Sequence, residues 1–116
     1  MLVIADGRIR YRLSWLEKVG AFGRDPQALL KNLTSVAFHA HPWTREVLRG
    51  VRAPGTGFPF LIMLGTMRYW SGKDFCVVYR RRPVLVLEFK DEKFNRWVIP
   101  ATEGNRALLR AQGFAL

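Results

Sequence analysis

The opening run LVIADGRIRYRL, residues 2–13, constrains the fold more than any other part of the chain. Asp6-Gly7 between two extended runs is a strong signal for a two-residue type I′ hairpin, because both turn positions need positive φ. In the second arm Ile9, Tyr11 and Leu13 alternate with Arg8, Arg10 and Arg12. Successive side chains of a strand point to opposite faces, so one face of this arm is apolar and seeks a core, while the other carries three arginines into water. A hairpin of this kind needs a second layer to cover its apolar face.

The later sequence supplies strands for that layer. Residues 60–70, 73–79, 83–89 and 94–99 are apolar or alternating runs, separated by Ser71-Gly72, Arg80-Arg81-Arg82 and Asp91-Glu92-Lys93. They read as four consecutive antiparallel strands. Residues 33–41 read as a further strand with Val36, Phe38 and Ala40 inward, ended by Pro42. Between hairpin and strand the period changes. Trp15, Leu16, Val19 and Phe22 fall on one side of a short helix whose other side shows Glu17 and Lys18, and Asp25-Pro26 opens a connector. Trp43 and Val47, four apart, define a second brief helix closed by Gly50. Near the end, Thr102 is an N-cap, Glu103 suits a helix N-terminus, and a helix through residues 106–112 stops at Gly113. The expected architecture is mainly β with α. It is a seven-stranded bent antiparallel barrel or sandwich with a C-terminal capping helix, in a single domain over residues 1–116.

Composition sets the function classes. Hydrophobic residues at 49% exclude intrinsic disorder, and a single cysteine, Cys76, rules out a disulfide framework and suits a reducing, cytoplasmic setting. The N-terminus lacks the pattern of a secretory signal, and the longest apolar stretch is about half of the roughly 20 residues a transmembrane helix needs. Nineteen Lys and Arg against nine Asp and Glu give a formal charge of +10. Residues 1–57 carry nine bases and four acids, and residues 58–116 carry ten and five, so each half is +5. The charge therefore belongs to the folded body, and attraction to nucleic acid, anionic lipid or an acidic protein partner is the first functional expectation.

The region from His41 to Trp97, with RGVRAPGTGFPF, GTMRYW, GKDFCVVY and VLVLEF, resembles small bacterial proteins of the pleckstrin-homology-like fold. The resemblance implies that fold and a binding or interaction module, not an enzyme. Lipid-binding members of the wider fold gather Lys and Arg around a long loop between the first two strands. Here that loop is only Asp6-Gly7, so no head-group cradle carries over, and Arg8 and Arg10 offer a flat basic face instead.

Candidate sites follow from local chemistry. In RGVRAPGTG, Gly55-Thr56-Gly57 leads into an extended run, which excludes both the P-loop and the dinucleotide fingerprint. Pro54-Gly55 reads as the centre of a type II turn with a strand starting at Gly57. The competing reading is an anion nest in which backbone N–H groups and Arg49 or Arg52 hold a phosphate or carboxylate. The row Arg8, Arg10, Arg12 is a second anion-binding candidate. Trp15, Leu16, Val19 and Phe22 form a lid over the barrel, a homodimer contact or a wedge into a lipid surface. Trp70, Tyr79 and Trp97 beside Arg68, Lys73, Arg80 and Arg96 could stack nucleobases on a sheet, or be core aromatics next to solvated bases. His39 and His41 point the same way but lack a third metal ligand, Cys76 lacks a histidine beside it, and the acids sit mainly in turns and caps. No catalytic group, metal or cofactor is expected.

Overall fold

The computed structural model describes residues 1–14, 17, 25–44, 47–48, 51–58, 62–69 and 72–116, of which 51–58, 62–63 and 68–69 are described by their backbone alone. The N-terminal hairpin forms as its sequence dictates. Strands β1 (Leu2–Ala5) and β2 (Arg8–Tyr11) pair antiparallel with Ala5 opposite Arg8, and the turn between them holds Asp6 at φ 53° and Gly7 at φ 73°. A short strand that the sequence reading did not anticipate, β3 (Gln27–Leu29), pairs with the other edge of β2 and completes a three-stranded sheet. A 3-10 turn (Leu30–Asn32) leads from it into β4 (Leu33–His39).

The second sheet contains β4, β5 (Val51–Phe58), β6 (Ile62–Tyr69), β7 (Gly72–Tyr79), β8 (Val84–Phe89) and β9 (Arg96–Pro100), in the order β4-β8-β9-β7-β6-β5. The four downstream strands thus lie close to their expected positions, but they are not a simple meander. β9 inserts between β7 and β8, antiparallel to β8 and parallel to β7. In place of seven antiparallel strands closed into a barrel, the described residues form two sheets of three and six strands with β4 and β5 as the edges of the larger one. The helix α1 (Glu103–Ala111) follows, with Thr102 Oγ1 accepting from the Asn105 N–H at 3.2 Å and Gly113 at φ 96° ending it. It packs on β1, where Asn105 Oδ1 accepts the Leu2 N–H at 3.0 Å.

Strands β7, β8 and β9 are buried on both faces, which is why they read as nearly continuous apolar runs. On the inner face Phe75, Val77, Leu85, Leu87, Trp97 and Ile99 meet Leu2, Ile9, Tyr11 and Leu13 of the small sheet and Leu109 of α1 in one core. On the opposite face Cys76, Val78, Val84, Val86 and Val98 form a second cluster, covered in part by Val47, Trp43 and Leu48. The Leu48 N–H donates to the Thr44 carbonyl at 2.8 Å, while the brief helix expected around Trp43 and Val47 lies partly outside the described residues. The outer end of β4 departs from expectation. Val36 and Phe38 face the same side as their partners Leu87 and Leu85, yet Phe38 is 43% exposed and Ala40 is exposed as well. β4 is an edge strand, so its far end overhangs the core, and the Arg106 guanidinium 5.1 Å from the Phe38 ring centroid covers the ring instead.

The glycine-rich run RGVRAPGTG is also different from its reading. Residues 51–58 are strand β5, with Gly55 opposite Gly65, and not a turn followed by a strand at Gly57. The pairing shifts between Arg52 and Gly55, so Ala53 and Pro54 together oppose one residue of β6 in a bulge. This accommodates the proline, which has no N–H for the ladder and is tolerated at an edge strand or a bulge. Gly65 across the ladder adopts φ 127°, a conformation that favours glycine.

Candidate functional site

Two places combine charge with geometry: the outer face of the small sheet and one end of the sandwich. On the small sheet, Ile9, Tyr11 and Leu13 are buried, with Arg8 and Arg12 exposed and Arg10 half-buried on the outside. β2 is the central strand, so Arg8 and Arg10 lie in the middle of the face, with Val3 and Gln27 flanking Arg10 in the register, and Arg12 follows the end of the strand. Alternate residues of a strand are about 7 Å apart. Among the described residues no carboxylate lies within ion-pair reach of Arg8, Arg10 or Arg12. Asp25 accepts the Leu13 N–H at 3.0 Å.

At the end of the sandwich, β7 and β9 part. Their pairing runs from Asp74 opposite Arg96 to Cys76 opposite Val98 and stops, after which β7 continues only with β6 and β9 only with β8. A cavity of about 400 Å³ occupies this end, lined by Tyr11, Glu17, Tyr79, Arg82, Pro100 and Thr102 among others. Glu17 is 6% exposed, a correction to its expected place on the wet side of a helix. Its Oε1 accepts the Ser14 N–H at 2.9 Å while Ser14 Oγ accepts the Glu17 N–H at 3.2 Å, the reciprocal bonds of a capping box. Its Oε2 accepts from the Tyr79 hydroxyl at 2.6 Å and from the Tyr11 hydroxyl at 3.5 Å. Burial, and then the adjacent carboxylate, push both phenols well above their ordinary range, so both remain protonated donors. The S-x-x-E spacing of Ser14 and Glu17 was the available sequence signal for this site. The contact with Tyr79, 62 residues away, had none.

The remaining sequence candidates are placed as follows. Arg52, Gly55, Thr56 and Gly57 lie along the edge strand β5. An extended strand points successive N–H groups to alternate sides, which is not the convergent geometry of a nest. Arg49, Trp15, Leu16, Val19 and Phe22 lie outside the described residues. The base-stacking platform is not formed as read. Trp97 is 1% exposed inside the core, and Arg96 is buried with its Nε 3.5 Å from Asp74 Oδ2 and an Nη donating to the Val47 carbonyl at 3.0 Å. His41 lines a shallow cavity with Pro42, Trp43 and Arg81, and Cys76 is fully buried. Among the described residues no three His, Cys, Asp or Glu side chains gather as a metal-ligand group, and no helix is long and apolar enough to cross a membrane.

Compared with known proteins, the chain matches no protein-family model, no curated sequence and no solved structure.

Proposed function

We propose that the chain is a non-catalytic binding module of the cytoplasm that meets an anionic partner with the row Arg8, Arg10 and Arg12. The observation that carries this reading is the row itself: Arg8 and Arg10 on the outer face of the central strand β2 and exposed Arg12 just past its end, none within ion-pair reach of a described carboxylate. A guanidinium without an internal partner costs little in water and keeps its five donors for a phosphate or carboxylate. The formal charge of +10 adds a long-range attraction to any such partner. The pleckstrin-homology-like resemblance enters as a habit of binding. The two sheets and C-terminal helix are mainly β with α, and the parallel β7–β9 pair is a departure from an all-antiparallel barrel. The placement of Asp74 in a buried ion pair and of Cys76 in the core supports the non-catalytic reading, because neither is available to a substrate.

The test is binding of the whole chain to a single-stranded oligonucleotide and to phosphatidylserine vesicles, compared with the variant Arg8→Gln, Arg10→Gln, Arg12→Gln. A phosphate-contacting row makes log affinity fall linearly with log salt, with a slope reduced by about one for each arginine removed. A membrane-facing row loses about 1 kcal/mol of vesicle binding per base and loses all of it on neutral lipid. If the triple variant binds both probes as tightly as the parent, the row is a solvated face and this reading fails.

A further inference from the structure

The cavity where β7 and β9 part is separate from the arginine row and has a different chemistry. Its wall holds the buried residue Glu17, which is 6% exposed. A carboxylate offers about four acceptor positions, and Glu17 uses three of them, for Ser14, Tyr79 and Tyr11. All three donors are neutral. Among the described residues no Lys, Arg or His side chain pairs with it, and the N-terminal ammonium donates to the Arg12 carbonyl at 2.9 Å. A buried carboxylate is costly unless a positive group joins it, so the fourth position favours a cationic N–H donor.

The mouth has the opposite sign. Arg82 lines the cavity, and Arg80, Arg81 and Arg82 are all exposed in the turn that joins β7 to β8, held by the Arg82 N–H on the Tyr79 carbonyl at 3.2 Å. A simple cation would be repelled on entry and a simple anion would meet Glu17 inside. The rest of the described lining is mostly apolar, Pro83, Val84, Pro100 and Ala101, with Thr102 beside them. A volume of about 400 Å³ lies at the lower end of the range for small-molecule pockets. We infer that this cavity binds a small zwitterion of the free amino-acid class, with its ammonium on Glu17 and its carboxylate on Arg82.

The two tyrosines support the assignment by their direction of donation. Both hydroxyls point their protons at Glu17, which holds the carboxylate in one orientation and leaves the remaining lone pair for the ligand. The rigid rings also fix the inner wall, since Tyr11 belongs to the central strand β2 and Tyr79 to the end of β7.

The probe is free L-leucine, chosen for the apolar walls, titrated into isotope-labelled protein and followed by amide chemical shifts. Isopentylamine, which is leucine without its carboxylate, and 4-methylpentanoate, which lacks its amine, are the controls. Leucine is expected to shift the amides of Val84, Ala101 and Thr102 saturably, with isopentylamine weaker by about tenfold and 4-methylpentanoate without a saturable effect. Glu17→Gln should weaken leucine binding by about tenfold or more, and Arg82→Gln, at an exposed position, should weaken it while leaving the spectrum of the free protein otherwise unchanged. No saturable shift with leucine overturns the inference, as does equal binding of 4-methylpentanoate or unchanged affinity in Arg82→Gln. Because Arg8, Arg10 and Arg12 face the other side of β2, the triple glutamine variant of that row should bind leucine normally, so this site and the anionic surface stand or fall separately.

Discussion

The Tyr79 hydroxyl donates to Glu17 Oε2 at 2.6 Å, joining the last residue of β7 to a residue six positions beyond Tyr11 and 62 before Tyr79. With the Tyr11 hydroxyl on the same oxygen, that bond links β7 to β2 at the end of the sandwich where β7 and β9 have no ladder between them. Removing its acceptor should be costly. Glu17→Ala takes the acceptor from both hydroxyls, and each buried donor left without a partner costs about 1–3 kcal/mol, while the N–H of exposed Ser14 can turn to water. Tyr79→Phe removes donor and leaves acceptor, for about 1 kcal/mol. A double-mutant cycle of the two by urea unfolding should give a coupling of about 1 kcal/mol or more. Simple additivity would mean that the bond contributes nothing to stability.

Alkaline pH should act on the same cluster. In the unfolded chain Tyr11 and Tyr79 ionise near their ordinary value of 10.0, while in the folded chain burial and Glu17 hold both phenols protonated well above it. Up to about pH 10 both states are protonated and the two tyrosines give no pH dependence. As pH rises further the unfolded state releases protons that the folded state keeps, so stability falls, approaching about 1.4 kcal/mol per pH unit for a fully shielded tyrosine. Half-buried Tyr79 should contribute less than Tyr11, because water screens part of its shift. Phenolate absorbance checks this directly: Tyr11 and Tyr79 should titrate late, and Glu17→Gln should bring both back toward the ordinary range.

The buried pair of Asp74 and Arg96 predicts an asymmetry. Asp74 is fully buried and Arg96 nearly so, on parallel neighbours β7 and β9. Asp74→Ala should destabilise by about 3–5 kcal/mol, since it leaves a guanidinium charge inside the sheet. The double replacement Asp74→Leu with Arg96→Met should recover much of that loss, as an apolar pair of similar volume often matches a buried ion pair. Thermal unfolding of the three proteins gives the comparison, and a double variant no better than Asp74→Ala would show that the pair supplies more than charge balance.

Gly7 offers a purely local test. It sits at φ 73°, and a Cβ built there meets nothing within 4 Å, so only backbone conformation resists a side chain. Gly7→Ala should therefore cost about 1 kcal/mol, seen as a lower urea midpoint with an unchanged slope. Asp6, already at φ 53° with a side chain, should accept asparagine at little cost.

Local pattern alone determined much of this protein. Asp6-Gly7 gave the hairpin because few residues other than Gly, Asn and Asp take positive φ cheaply, and the Arg-apolar alternation of β2 set its inward and outward faces. Strands β6 to β9 were legible as apolar runs between turns, and α1 through its Thr102 cap and Gly113 stop. What lay beyond the sequence was pairing between distant elements. Nothing local says that β9 inserts beside β7, since runs buried on both faces carry no period that names their neighbour. The three residues of β3 are too few to show a period, and the bulge at Ala53-Pro54 exists only against β6, so both looked like connector or turn. Glu17 looked solvated for a related reason: its exposure on a helix surface depends on what packs there, and only the fold brings Tyr11 and Tyr79 to it. Propensity and periodicity act within a few residues and fix elements and their faces, whereas strand order, buried charge and the cavity arise from contacts across tens of residues, which tertiary packing alone decides.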